Sequence, residues 1–412
     1  MKTPKGTTKN YISNSIYLAP TSSTEISQII DDLKVKATAD INVASIKKAN
    51  NNVIKFSEVI ADIINRSILE GVFPSKLKNA KVVPVHKVDI ENYRPISLLS
   101  AFSKIFEKVM YARVYDFLSH NNILNENQFG FRRGRSCEQA LLTAQNEILK
   151  SLSKKQMSLL LLIDFSKAFD MVDHDILLNK LNNYGIRGIA NYWFKSYLSD
   201  RTQYVTINGR KSSNREMQYG VPQGSILGPL LFIIYINDVP NICENCTFIL
   251  YADDANILIS GRNIAEIENI FNSLAKKLEI WVSTNGLALN LKKTNYMIFS
   301  SSKIHAMPFK PKLYQYDLER KSSSRFLGVI ISEQLTWNEH ILAIKAKMSR
   351  YVGILYKLKN ILPFSARKNI FHSFVQSHLN YCSLVWGLGP KAYIEPLFTE
   401  QKKSNTSINA RP

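Results

Sequence analysis

The most constraining feature of this chain is the run Ser-Leu-Leu-Leu-Leu-Ile at positions 158–163, closed by Asp164. Almost every side chain in it is aliphatic, so an extended segment here must be covered on both faces, as in the middle of a packed sheet. Two more apolar runs, 247–250 and 255–259, flank Tyr251-Ala252-Asp253-Asp254. Strands separated by so short an acidic segment predict a hairpin with carboxylates at its tip. Carboxylates at the ends of buried strands suit Mg2+, which takes a few protein oxygens and fills its shell with water and substrate phosphates. On this reading Asp164 and Asp253 are metal ligands. Successive side chains of extended backbone point to opposite faces, so Asp254 is given a supporting part. Each motif alone has a plainer explanation, because Asp is favoured in turns for its local hydrogen bonds.

Helical periodicity organises much of the rest. Ser22 and Glu25 fit a capping box ahead of Ile26, Ile29, Ile30 and Leu33. Phe56, Val59, Ile60, Ile63, Ile64 and Ile68 line a second helix, which Gly71 and Pro74 end. A β-branched run at 81–85 is broken by Pro84, and Phe102, Ile105, Phe106, Val109, Val114, Phe117 and Leu118 mark another helix. A strand at 202–207 runs into Asn208-Gly209, a strong hairpin signal. Helices are predicted over 264–281 and 341–358; the latter carries Lys345, Lys347, Arg350 and Lys357, with Lys359 just beyond, and could lie along a phosphate backbone. From Gly389 to Pro412 the pattern is lost, and an irregular tail over 390–412 is expected.

Charge narrows the partners. Lys and Arg total 53 against 33 Asp and Glu, and a net charge of +20 favours a polyanion, nucleic acid first. The longest clearly apolar run, 226–236, is too short to span a bilayer and contains Gly228 and Pro229. The start, Met1 to Asn10, is polar and basic, without the apolar stretch of a secretory signal. No membrane association and an intracellular setting, cytoplasmic and nuclear, are therefore expected. The cysteines Cys137, Cys243, Cys246 and Cys382 are too few and scattered for a disulfide framework. Cys243 and Cys246 have zinc-like spacing, but no second ligand pair follows, so plain thiols are expected.

An ordered set of motifs then decides between these readings: Asn92-Tyr-Arg-Pro-Ile-Ser-Leu-Leu-Ser100, Gln128-Phe-Gly-Phe-Arg132, Asp164-Phe-Ser-Lys-Ala-Phe-Asp170, Gly220-Val-Pro-Gln-Gly-Ser-Ile-Leu-Gly-Pro229, Tyr251-Ala-Asp-Asp254, Lys293-Thr294 and Phe326-Leu-Gly328. From about Ser15 to Trp386 the chain resembles the reverse transcriptase of non-long-terminal-repeat retrotransposons, especially the jockey-like group. The resemblance implies an α+β right-hand polymerase, with fingers, palm and thumb and an antiparallel palm sheet backed by helices. It implies a helical extension over 1–80, interleaved fingers and palm over 81–300, and the palm end and thumb over 301–389. It further implies an RNA-directed DNA polymerase that adds deoxynucleoside triphosphates to a DNA primer on an RNA template. Two Mg2+ ions, or Mn2+ in their place, would be held by Asp164, Asp253 and Asp254.

The resemblance also assigns roles to single residues. Lys293 matches the lysine that protonates departing pyrophosphate; an exposed lysine beside Lys292 is the bland alternative. Lys87 and Arg94, and Arg132 more weakly, match residues that clasp the triphosphate. Phe169 matches the bulky side chain against the sugar, where a ring would clash with a 2′-hydroxyl; without the resemblance it reads as core. Gln223 and Gly224 match the loop beside the nascent base pair, though Pro222 and Ser225 also suit a plain helix entry. Tyr251 and Trp337 offer aromatic faces to primer or template, with a core place the simpler reading of Trp337. Full elements of this kind carry an upstream endonuclease and sequence beyond the thumb, neither recognisable here, so a fragment or decaying copy is expected. An RNA-templated RNA polymerase is a rival that Phe169 argues against. A catalytically silent nucleic-acid-binding descendant is another, opposed by the presence of all three aspartates.

Overall fold

The computed structural model describes residues 12–35, 38, 41–52, 55–86, 93–301, 309–387 and 389–409. The chain forms two units from interleaved segments. One comprises Met1–Phe131, Phe165–Ile242 and Ile280–Ala288; the other comprises Arg132–Asp164, Cys243–Glu279 and Leu289–Pro412. Among the described residues no helix is long and apolar enough to cross a membrane.

The second unit is built on a five-stranded sheet in the order Glu319–Arg320, Asn295–Phe299, Met157–Asp164, Asp254–Gly261, Cys246–Tyr251. Met157–Asp164 is antiparallel to both its neighbours, and only the short edge strand Glu319–Arg320 runs parallel to the one beside it. Leu159, Leu160 and Leu161 have no exposed surface, which accounts for their unbroken aliphatic run. Each such side chain taken from water contributes about 2 kcal/mol. The helix Cys137–Ser153 packs on this sheet through Ala140, Leu141, Ala144 and Ile148, and starts at a capping box between Ser136 and Gln139. The helix Asn338–Leu358 buries Ile341, Ile344, Met348, Val352 and Leu355, as its period predicts.

Two expectations are corrected in this unit. The tail over 390–412, expected to be irregular, contains a helix at Lys391–Asn409 that packs against Asn338–Leu358. Its buried positions are Leu397, Glu400 and Ser404, one turn apart but mostly polar, so no apolar stripe marks it in the sequence. Cys243 and Cys246, expected as plain thiols, are joined in a disulfide, their Cα atoms 5.6 Å apart.

In the first unit Asn79–His86 pairs antiparallel with Tyr93–Leu98 and parallel with Thr202–Ile207. Asn208 and Gly209, both left-handed, turn the chain into Arg210–Lys211, with Ile207 opposite Arg210. The run 226–236 is the buried helix Leu227–Tyr235. Ser22 caps the helix Ser23–Asp31 by accepting the Glu25 amide at 3.2 Å. The Glu25 carboxylate does not close a capping box; it is taken by the Arg113 guanidinium and the Thr21 hydroxyl. Within the helix Ala101–His120, Glu107 is wholly buried. It accepts the Ser103 hydroxyl at 2.8 Å and the Ile226 and Leu227 amides at 2.6 and 3.3 Å, so it caps the helix Leu227–Tyr235. Burial raises its carboxyl above the usual range, against the pull of Arg201 and these hydrogen bonds.

Candidate active site

Strand register places the acids of the second unit. Asp164, the last residue of Met157–Asp164, is paired with Asp254, the first residue of Asp254–Gly261. Residues directly opposite in an antiparallel pair present their side chains to one face, so these two carboxylates share a face. The chain at 290–294 clasps Asp164 from the other side. The Asp164 carbonyl accepts the Asn290 amide at 2.8 Å, and the Asp164 amide donates to the Thr294 hydroxyl at 3.4 Å. Thr294 also donates to the Asn290 carbonyl at 3.0 Å and is 1% exposed, which gives the Lys293-Thr294 motif a physical basis. Lys293 is exposed and lines a cleft of about 150 Å³ together with Asp164, Asp254, Asn256, Asn295 and the strand end and turn at 324–327.

Tyr251 pairs with Asp254, so Ala252 and Asp253 form a two-residue turn between the strands. Ala252 adopts φ 55°, a left-handed conformation that costs a non-glycine residue about 1 kcal/mol. Asp253 lies in the turn itself, where strand alternation no longer decides its direction. The place opposite Asp164 belongs to Asp254, the residue the sequence reading gave a supporting part. A hydrogen bond with Cys137, followed by burial, pushes the Tyr251 phenol up to about 12. Arg132 is half-buried in the turn before Cys137–Ser153, and Trp337 is buried at 5% exposure.

In the first unit a second group converges. Phe169, in the short helix Ala168–Asp170, is half-buried and stacks on Phe232 with centroids 4.7 Å apart. Its carbonyl accepts the Val221 amide at 2.9 Å, and Gln223 donates from Nε2 to Asp170 Oδ1 at 2.9 Å. The Gln223 carbonyl accepts the Ser97 amide at 2.7 Å. Gly224, at φ 126°, lies so close to this strand that a Cβ would stand 2.4 Å from the Ser97 carbonyl oxygen. Glycine is therefore demanded here both by sterics and by backbone conformation. Arg94 is exposed on the same strand, opposite Val85. Lys87 lies outside the described residues.

Among the described residues no three His, Cys, Asp or Glu side chains form a metal-ligand cluster. The cleft does present two facing carboxylates with Asn295, whose buried Oδ1 has no hydrogen-bond partner. That oxygen-rich donor set fits Mg2+, which is commonly bound by one or two carboxylates plus substrate phosphates. Asn256, Asn290, Asn295 and the cap Glu107 were not singled out in the sequence. For Asn295 the signal was adjacency to the Lys293-Thr294 motif; Glu107 reads in sequence as one more helix charge.

The reverse transcriptase (RNA-dependent DNA polymerase) family profile matches residues 85–331. The probable RNA-directed DNA polymerase from transposon BS of Drosophila melanogaster is 28% identical over 424 residues, covering 97% of this chain and 46% of that protein. The RNA-directed DNA polymerase from mobile element jockey of Drosophila melanogaster is 26% identical over 373 residues, covering 86% of this chain and 40% of that protein. The chain thus spans less than half the length of these relatives. Among solved structures, apo telomerase from Candida tropicalis truncated from the C-terminal domain aligns with 63% of this chain and 54% of its own, at 13% identity and a TM-score of 0.43.

Proposed function

Because this chain belongs to the reverse transcriptase (RNA-dependent DNA polymerase) family, we propose that it extends a DNA primer with deoxynucleotides on an RNA template, as in retrotransposition. The sheet that carries Asp164 would be the palm, the strands Asn79–His86 and Tyr93–Leu98 part of the fingers, and the helices from Asn338 onward the thumb. Asp164, Asp253 and Asp254 would hold two Mg2+ ions, which when bound activate the primer hydroxyl and stabilise the leaving oxygen.

The remaining work falls to side chains of this chain. Lys293 delivers a proton to the departing pyrophosphate. Arg94, Arg132 and Lys87 clasp the triphosphate, a task suited to forked guanidinium groups and a point charge. Gln223 and Gly224 abut the nascent pair, and the Phe169 ring excludes a 2′-hydroxyl. Tyr251 offers a face to the primer or template.

The observation that carries this reading is the pairing of Asp164 with Asp254 at a cleft that Lys293 also lines. Its test is extension of a DNA primer on an RNA template with and without Mg2+. The wild-type chain should extend only with the ion. Asp253→Ala should lose activity by at least about 10²-fold while still binding the primed template. Equal activity in both proteins refutes the assignment.

A further inference from the structure

Two thiols have no part in this chemistry. Cys137 is the half-exposed first residue of Cys137–Ser153; Cys382, 5% exposed, precedes the short helix Ser383–Trp386 and is held at φ 50°. Their distance in sequence hides how closely the second unit couples them. Tyr381 directly precedes Cys382 in the chain, and the phenols of Tyr381 and Tyr251 both lie within electrostatic reach of the Cys137 thiol. Glu138, next to Cys137, accepts the amide of Leu384, two residues after Cys382, at 3.0 Å. The helices Ser383–Trp386 and Cys137–Ser153 pack together. The Tyr381 hydroxyl donates to the Leu327 carbonyl at 2.7 Å, and Leu327 lines the cleft with Asp164 and Asp254.

We propose that Cys137 and Cys382 form a reversible redox site that takes hydroperoxides as oxidant and sets the state of the neighbouring cleft. The Cys137 sulfur attacks a peroxide oxygen; the O–O bond breaks and the leaving oxygen takes the thiol proton, giving a sulfenic acid with water from hydrogen peroxide or an alcohol from an organic hydroperoxide. The Cys382 sulfur then attacks the Cys137 sulfur, the S–O bond breaks, and hydroxide leaves with the Cys382 proton as water. The protein gives up two electrons and the peroxide is reduced. Burial pushes the Cys382 thiol up to about 11, which suits it to the second step rather than the first. The new bond ties the segment of Tyr381 to the helix start. The turn at Leu327 thereby loses its present support.

The linkage stands apart from the polymerase reading; only its effect on extension rests on that reading. The full chain is treated with hydrogen peroxide, alkylated, digested without reductant and mapped by mass spectrometry. A Cys137–Cys382 peptide pair two hydrogens lighter than its separate peptides, restored by dithiothreitol, is expected. Primer extension should be lost on oxidation and recovered on reduction, whereas Cys137→Ser and Cys382→Ala should resist peroxide. Absence of this linkage in the oxidised native chain, or equal peroxide inhibition of wild type and Cys137→Ser, overturns the proposal. A reduced chain that extends nothing defeats the polymerase reading instead, and the peptide map still decides the redox site.

Discussion

Glu107 accepts the Ile226 amide at 2.6 Å from a position with no solvent exposure. Removing the carboxyl leaves two helix-start amides without their acceptor. Glu107→Ala should therefore cost about 3 kcal/mol, read as a lower urea midpoint. Glu107→Gln keeps an acceptor and should cost less; equal losses would show that the acceptor is not what matters.

Gly224 and Gly209 separate backbone strain from collision. Both have positive φ, but a Cβ on Gly209 meets nothing within 4 Å, whereas one on Gly224 meets the Ser97 carbonyl at 2.4 Å. Gly209→Ala should cost about 1 kcal/mol from conformation alone. Gly224→Ala should cost clearly more in the same unfolding assay and should also slow primer extension.

Phe169→Ala should narrow the preference for deoxynucleotides by about tenfold or more, since a missing steric contact of this size is worth 1–3 kcal/mol. The measurement is the ratio of kcat/KM for a deoxynucleotide and its ribonucleotide, a quantity insensitive to the fraction of folded enzyme. An unchanged ratio would return Phe169 to its stacking role on Phe232.

The Arg113 guanidinium, hydrogen-bonded to Glu25, holds that carboxyl below its ordinary value of 4.5. The folded state thus binds this proton more weakly than the unfolded chain does. The stabilisation is fully present above the ordinary value and is lost as pH falls through the lowered one. Because Glu25 is partly exposed, Glu25→Gln should cost only about 1 kcal/mol at neutral pH. That difference between variant and wild type should shrink as urea midpoints are measured at successively lower pH below 4.5.

What the sequence disclosed depended on whether a local pattern carried the information. The strand ending at Asp164 was legible because both its faces are buried, and the turn at Asn208-Gly209 because few residues take left-handed backbone easily. The direction of Asp253 and Asp254 was not, since a hairpin's register and turn length settle it only once the strands pair. Lys391–Asn409 escaped notice because its buried face is largely polar. The disulfide of Cys243 and Cys246 was read as two thiols because spacing alone does not distinguish them. Glu107 was hidden for a different reason: its partners at 226–227 are remote in sequence, and a lone helix glutamate ordinarily faces water.

Both main-chain groups of Asp164 are committed, its carbonyl to Asn290 and its amide to Thr294. Whatever arrives at or departs from this carboxylate need therefore turn only two side-chain torsions. The sheet behind it can stay still through repeated cycles, like a fixed wrist beneath a moving fingertip.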